Sequence, residues 1–188
     1  MKEIAKLGAI LLLVAAIAAG VLAFTNSITA PIIEDREKEV ALQAYKAILP
    51  DADEFQEWSA EQMKAIKETH SKVDSIVEAI KNGEVVGYLF TTKGGGYGGD
   101  IVVITGITEG KIAAIKILKH KETPNIGTKI EDPAYQERYA GVGAETNIQL
   151  VSSKKDAQEV EKISGSTVSS RGVVAAVNAA IDCYKDVK

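Results

Sequence analysis

The sequence is poor in the residues from which staples and metal centres are made. Cys183 is its only cysteine, so no internal disulfide can form and a site of clustered thiolates is excluded. Near the end of an apolar helical pattern it reads as a small buried hydrophobe without a redox role. His70 and His120 are the only two histidines and lie far apart, which leaves little from which to assemble a metal site. Charge of one sign is lacking too: 22 Lys and Arg against 26 Asp and Glu give a net charge of -4, with no basic footprint for nucleic acid. No Gly-Lys-Ser/Thr occurs, and no repeat of fixed period. With 188 residues, the chain has room for one ordinary domain and an appendage, not for a tandem.

What it does have begins with residues 4–24, IAKLGAILLLVAAIAAGVLAF, interrupted only by Lys6. About twenty residues at ~1.5 Å rise cover the ~30 Å hydrocarbon core of a bilayer. A buried core helix would carry a polar stripe, and none runs through residues 7–24. The run exceeds the roughly 7–15 residues of a signal-peptide core, and Ile28-Thr29-Ala30 is a poor cleavage site. It therefore reads as a retained transmembrane anchor in the cell (inner) membrane. Lys2 and Lys6 precede the run and the first basic residue after it is Arg36, so the N-terminus is expected in the cytoplasm and the rest outside it.

After Pro31, Val40, Ala44, Ala47 and Ile48 recur at helical spacing, and Pro50 ends that amphipathic helix. Residues 51–72 are polar, with a helix expected at 60–69. Two hairpins follow: 75–80 and 85–92 about Lys81-Asn82-Gly83, then 101–108 and 111–118 about Glu109-Gly110. Short surface helices are expected at 132–139 and 154–162. From Val168 onward, Val173, Val177, Ala180, Ile181 and Tyr184 give a final helix one apolar face. The expected fold class is α+β, an antiparallel sheet flanked by helices and preceded by one transmembrane helix. The expected divisions are an anchor at 1–30, a helical connector at 31–72 and a globular domain at 73–188.

Three segments are rich in ligand-binding chemistry. Gly94-Gly95-Gly96-Tyr97-Gly98-Gly99-Asp100 lies between strands, where missing Cβ atoms let backbone approach a flat or phosphorylated ligand; a plain flexible connection is the alternative. His120-Lys121-Glu122-Thr123-Pro124-Asn125-Ile126-Gly127 follows a strand end, with Pro124 and Gly127 shaping the loop. His120 there reads as a hydrogen-bonding residue. Ser164-Gly165-Ser166-Thr167-Val168-Ser169-Ser170-Arg171-Gly172 opens the last helix. One hydroxyl would suffice for a cap, while five hydroxyls, free amides and Arg171 suit a phosphate; both readings stay open.

Taken together these segments resemble the FMN-binding domain family, and over its whole length the chain is similar to the G-subunit branch of that family, from the Rnf ion-translocating ferredoxin:NAD oxidoreductase. Ser164-Gly165-Ser166-Thr167 resembles the family's Ser/Thr-Gly-Ala-Thr signal, whose threonine a flavin transferase joins to the phosphate of FMN. The resemblance implies covalent FMN on Thr167, with Ser164, Gly165, Ser166, Ser169 and Ser170 beside it. It also implies that Tyr97, Gly98 and Gly99, with Glu122, Thr123, Pro124 and Gly127, line the flavin site. Residues 73–188 would be the FMN-binding domain of an electron-carrying subunit without substrate turnover of its own. Its partners would be the bilayer, the flavin transferase and the other integral-membrane and redox subunits. Ser166 stands where the family usually has Ala, Glu161 where it has Asp, and Asn125 where it has Gly. Two rival readings are the C-subunit type of the sodium-translocating NADH:quinone oxidoreductase, which the shortness of the chain disfavours, and a cofactor-free tethered binding module.

Overall fold

The computed structural model describes residues 2–188. Its first helix, α1 (Lys2–Ile48), contains Pro31, so the anchor and the expected amphipathic helix form one element. Proline removes a single amide donor, which leaves the Ser27 carbonyl without its helical partner while the turns on either side persist. The helix ends at Ile48 because Pro50 disfavours helical geometry in Leu49.

Residues 1–41 and 42–188 are separate compact units. In the first, Leu7, Leu11, Leu13, Ile17, Leu22 and Phe24 are all exposed, which suits a lipid surround. At the end of the run, Thr25 and Thr29 donate to the carbonyls of Val21 and Thr25 at 2.9 and 3.0 Å, so these hydroxyls are satisfied by the helix itself. Among the described residues this is the one helix long and apolar enough to cross a membrane.

The second unit is an α+β domain on a five-stranded antiparallel sheet in sequential order. Its strands are β1 (Glu54–Glu57), β2 (Val73–Lys81), β3 (Glu84–Gly95), β4 (Asp100–Thr108) and β5 (Lys111–Lys119), with α2 (Ala60–Thr69) after β1. The turns Asn82-Gly83 and Glu109-Gly110 have positive φ at both residues, 52° and 83°, then 51° and 74°, as tight hairpins with the right-handed twist require. β1 was not evident in the sequence. EFQE is a polar edge strand with only Phe55 half buried, and edges of sheets favour charge over apolar alternation.

Both faces of the sheet are covered. Ala44, Ile48 and Leu49 pack with Val77, Ala79, Leu89 and Ile104 on one side. Val73, Phe90, Val103, Ile107 and Ile115 share one core cluster with the apolar residues of α4 (Thr167–Val187) on the other. Double coverage explains why 101–104 is an unbroken apolar run where a one-sided strand would alternate. Gly106 admits the α1 end, since a Cβ there would lie 2.2 Å from Ile48 Cγ2.

Residues 127–139 form two 3₁₀ turns around α3 (Pro133–Gln136), close to the helix expected at 132–139. That segment is not wholly superficial, for Tyr135 and Tyr139 are fully buried. The helix expected at 154–162 is corrected: β6 (Gln149–Val151) pairs in parallel with β7 (Glu159–Glu161). Asp156 and Glu159 accept backbone amides of Gln158, Lys155 and Asp156 at 2.7 to 3.1 Å, and such local bonds hold a turn against helix formation.

Candidate functional site

The three glycine- and hydroxyl-rich segments meet at the first turn of α4. The β3–β4 ladder runs to the pair Gly95–Asp100, and Gly96 N–H closes the loop onto the Gly99 carbonyl at 2.8 Å. The end of β3 lies directly on α4: a Cβ on Gly94 would sit 1.9 Å from the Gly172 carbonyl oxygen, and one on Gly172 would sit 2.7 Å from that of Gly95. Backbone therefore packs on backbone, which is why a helix interior tolerates Gly172. Gly98 is equally constrained, with its missing Cβ 1.8 Å from the Lys121 carbonyl oxygen.

Glu122 joins the segments chemically. Its side chain is buried, Oε1 accepts the Gly98 amide at 2.9 Å, and Oε2 accepts a hydrogen bond from the Ser169 hydroxyl. Burial opposes the charge, yet the bonds from Ser169, Gly98 and Tyr97, with His120 nearby, outweigh it and hold the carboxyl below its ordinary value of 4.5. The Glu122 amide in turn donates to His120 Nδ1 at 3.1 Å, and His120 Nε2 lies 2.9 Å from Glu131. His120 is thus a hydrogen-bonding residue, and no metal-binding cluster occurs among the described residues.

In the third segment Thr167 is the first residue of α4 and is partly exposed, while Ser164 and Gly165 are exposed before it. Gly165 has φ 80°, a left-handed conformation that places the turn ahead of the helix. The side-chain cap that the sequence allowed does not form. Ser166 occupies the cap position, but its hydroxyl is buried and without a partner among the described residues. Ser170 faces inward, where its hydroxyl accepts from the Ile163 amide at 3.1 Å and donates to the Ser166 carbonyl at 2.9 Å. Thr123 and Pro124 are exposed at the turn that Gly127 N–H closes on the Thr123 carbonyl at 2.8 Å. Arg171 is exposed, and its side chain makes no hydrogen bond or ion pair among the described residues.

Several contributors escaped the sequence reading. Among the described residues outside α1, the exposed large apolar residues are Val85, Val86, Tyr97, Ile126 and Val168, and the last three fall one on each converging segment. A triplet of unpaired apolar residues in otherwise polar loops is the signal that would have found Ile126 and Val168. Beneath α4, the buried hydroxyls of Tyr135 and Tyr139 lie 2.8 Å apart and burial pushes both phenols up. Arg138 donates to the Glu161 carbonyl at 2.7 Å, fixing the strand that leads to the Ser164–Thr167 turn.

The FMN-binding domain family matches residues 96–182, and the RnfG N-terminal region matches residues 1–48. The chain is 34% identical to the G subunit of the Na⁺-translocating ferredoxin:NAD⁺ oxidoreductase complex of Acetobacterium woodii, over 99% of this chain and 94% of that one. It is 30% identical to the G subunit of the ion-translocating oxidoreductase complex of Methanosarcina acetivorans, over 96% and 94%. The crystal structure of NqrC from Shewanella oneidensis shares the fold, with a TM-score of 0.54 at 15% identity over 73% of this chain and 82% of that one. With near full-length matches to G subunits, an RnfG-type N-terminal region and an FMN-binding domain after it, the chain belongs to the G-subunit family of the Rnf ion-translocating ferredoxin:NAD oxidoreductase.

Proposed function

We propose that this chain carries FMN as a phosphoester on Thr167 and relays electrons inside a membrane-bound Rnf-type complex. The observation that carries the reading is the convergence of the Tyr97 loop and the Glu122 loop on the opening turn of α4, of which Thr167 is the first, partly exposed residue. The residues present suit the group. The amides of Thr167, Val168 and Ser169 precede any helical carbonyl that could accept them, and they share the positive end of the helix dipole, so they favour a phosphate. The unpartnered Ser166 hydroxyl adds a donor in the same turn. Tyr97, Ile126 and Val168 offer apolar side chains for a flat ring and would shield it from water.

FMN supplies reversible electron uptake when bound, and the protein supplies its position and surroundings. Thr167 gives the cofactor an attachment that dilution cannot reverse, which matters on the side of a membrane where no FMN pool exists. Under this reading residues 1–30 anchor the chain in the cell membrane with Lys2 and Lys6 in the cytoplasm, 31–72 lead out of it and complete the sheet with β1, and 73–188 bind the flavin outside it. Its partners are then the bilayer, a flavin transferase for maturation, and the integral-membrane and redox subunits of the complex.

The test is mass spectrometry of the C-terminal peptide from natively produced protein. An FMN adduct on Thr167, with flavin fluorescence surviving denaturation and lost in Thr167→Ala, is the expected result. An unmodified Thr167 overturns the proposal.

A further inference from the structure

We propose that Glu122 is the positioning residue of this site, a brace that fixes the Tyr97 loop to the first turn of α4. The inference rests on the reading of Thr167 as the flavin-bearing residue. Both carboxylate oxygens are taken up within the protein, Oε1 by the Gly98 amide at 2.9 Å and Oε2 by the Ser169 hydroxyl, and the side chain is only 6% exposed. It is therefore a tie between two segments and not a ligand-facing group. The β3–β4 ladder stops at Gly95–Asp100, so residues 96–99 lie beyond its pairing.

The brace is itself held. The Glu122 amide donates to His120 Nδ1, and His120 Nε2 lies 2.9 Å from Glu131. Glycines wall the slot: a Cβ on Gly96 would lie 2.4 Å from Glu122 Oε1, and one on Gly127 would lie 2.5 Å from Glu122 Cβ. No side chain can replace the brace from those directions. Aspartate, shorter by one methylene, cannot reach both partners.

The full chain is produced with its transferase as parent, Glu122→Ala and Glu122→Gln, and flavin on Thr167 is followed separately from the environment of the ring. In E122A the adduct is expected to remain while flavin absorption, fluorescence yield and midpoint potential shift from the parent. E122Q should restore all three, because its carboxamide oxygen still accepts from Gly98 and its NH₂ can donate to the Ser169 hydroxyl. Parent-like spectra and potential in E122A overturn the proposal. So does E122Q failing as badly as E122A, since charge and not a tie would then be the cause.

A second arm needs no flavin. In the Thr167→Ala background, hydrogen exchange at the Gly98 amide should quicken roughly tenfold in E122A, the loss of about 1.4 kcal/mol of hydrogen bonding, and stay near parent in E122Q. Unchanged exchange in E122A sinks the brace whether or not Thr167 carries FMN, whereas an unmodified Thr167 in the parent sinks only the flavin reading. Should E122A fail to fold, Ser169→Ala removes the α4 half of the tie and must reproduce the faster exchange.

Discussion

Asn125 sits at φ 61°, in the left-handed region where a Cβ is costly and where Asn is the side chain most often tolerated after Gly. Its amide donates to Thr128 Oγ1 at 2.9 Å. The departure from the family's usual Gly, visible in the sequence, is thereby accounted for by backbone geometry that the sequence did not display. Asn125→Gly should leave thermal stability within about 0.5 kcal/mol, and Asn125→Val should cost roughly 1–3 kcal/mol by chemical denaturation. Thr105 tells a different story: fully buried on β4, its hydroxyl lacks a partner among the described residues. Thr105→Val, nearly the same shape, is expected to raise unfolding stability by about 1 kcal/mol. Glu122 predicts a pH effect. Because its folded carboxyl titrates below 4.5, it contributes stability above that pH and loses it as pH falls through the folded value. Urea midpoints from about pH 6 to about pH 3 should fall more steeply for the parent than for E122Q.

At the level of elements, what was legible followed local chemistry. The Asn82-Gly83 and Glu109-Gly110 turns announced both hairpins, and the spacing of Val173, Val177 and Ile181 announced α4. β1 and β7 stayed hidden because each is short and polar, with structure set by what it pairs with. The site divided the same way. Each segment was visible as a motif, but the bond between Glu122 and Ser169 spans 47 positions, and nothing in a single sequence encodes which distant groups will meet. Backbone contact between β3 and α4 yields a prediction at this scale. Gly172→Ala would gain about 1 kcal/mol of helix propensity. The added methyl would lie 2.7 Å from the Gly95 carbonyl oxygen, against backbone that cannot step aside, so net destabilisation is expected in thermal melts.

For the whole molecule, the boundary of the compact unit at Leu42 matters more than the end of the apolar run. Ala44, Ile48 and Leu49 belong to the core beneath the sheet. A chain beginning at Leu42 should unfold cooperatively in solution. One beginning at Asp51 should lose roughly 1.5–3 kcal/mol for each large core side chain removed and expose Leu89 and Ile104, which dye binding would detect. The proposed orientation predicts that protease added outside spheroplasts cuts the globular part; full protection there would reverse it.

The two-strand pair of β6 and β7 has three rungs and stands apart from the five-stranded sheet. The last of those rungs ends three positions before Ser164. Val160 at the middle rung is fully buried in the main core, and Arg138 holds the Glu161 carbonyl, so the pair is pinned at the end nearest the turn. The turn from Ser164 to Thr167 therefore leaves a fixed strand and enters a helix, with Ser164 and Gly165 exposed between them. Under the flavin reading the threonine is met on a finished surface, and the cofactor is the last part fitted, after the chain has crossed the membrane and folded.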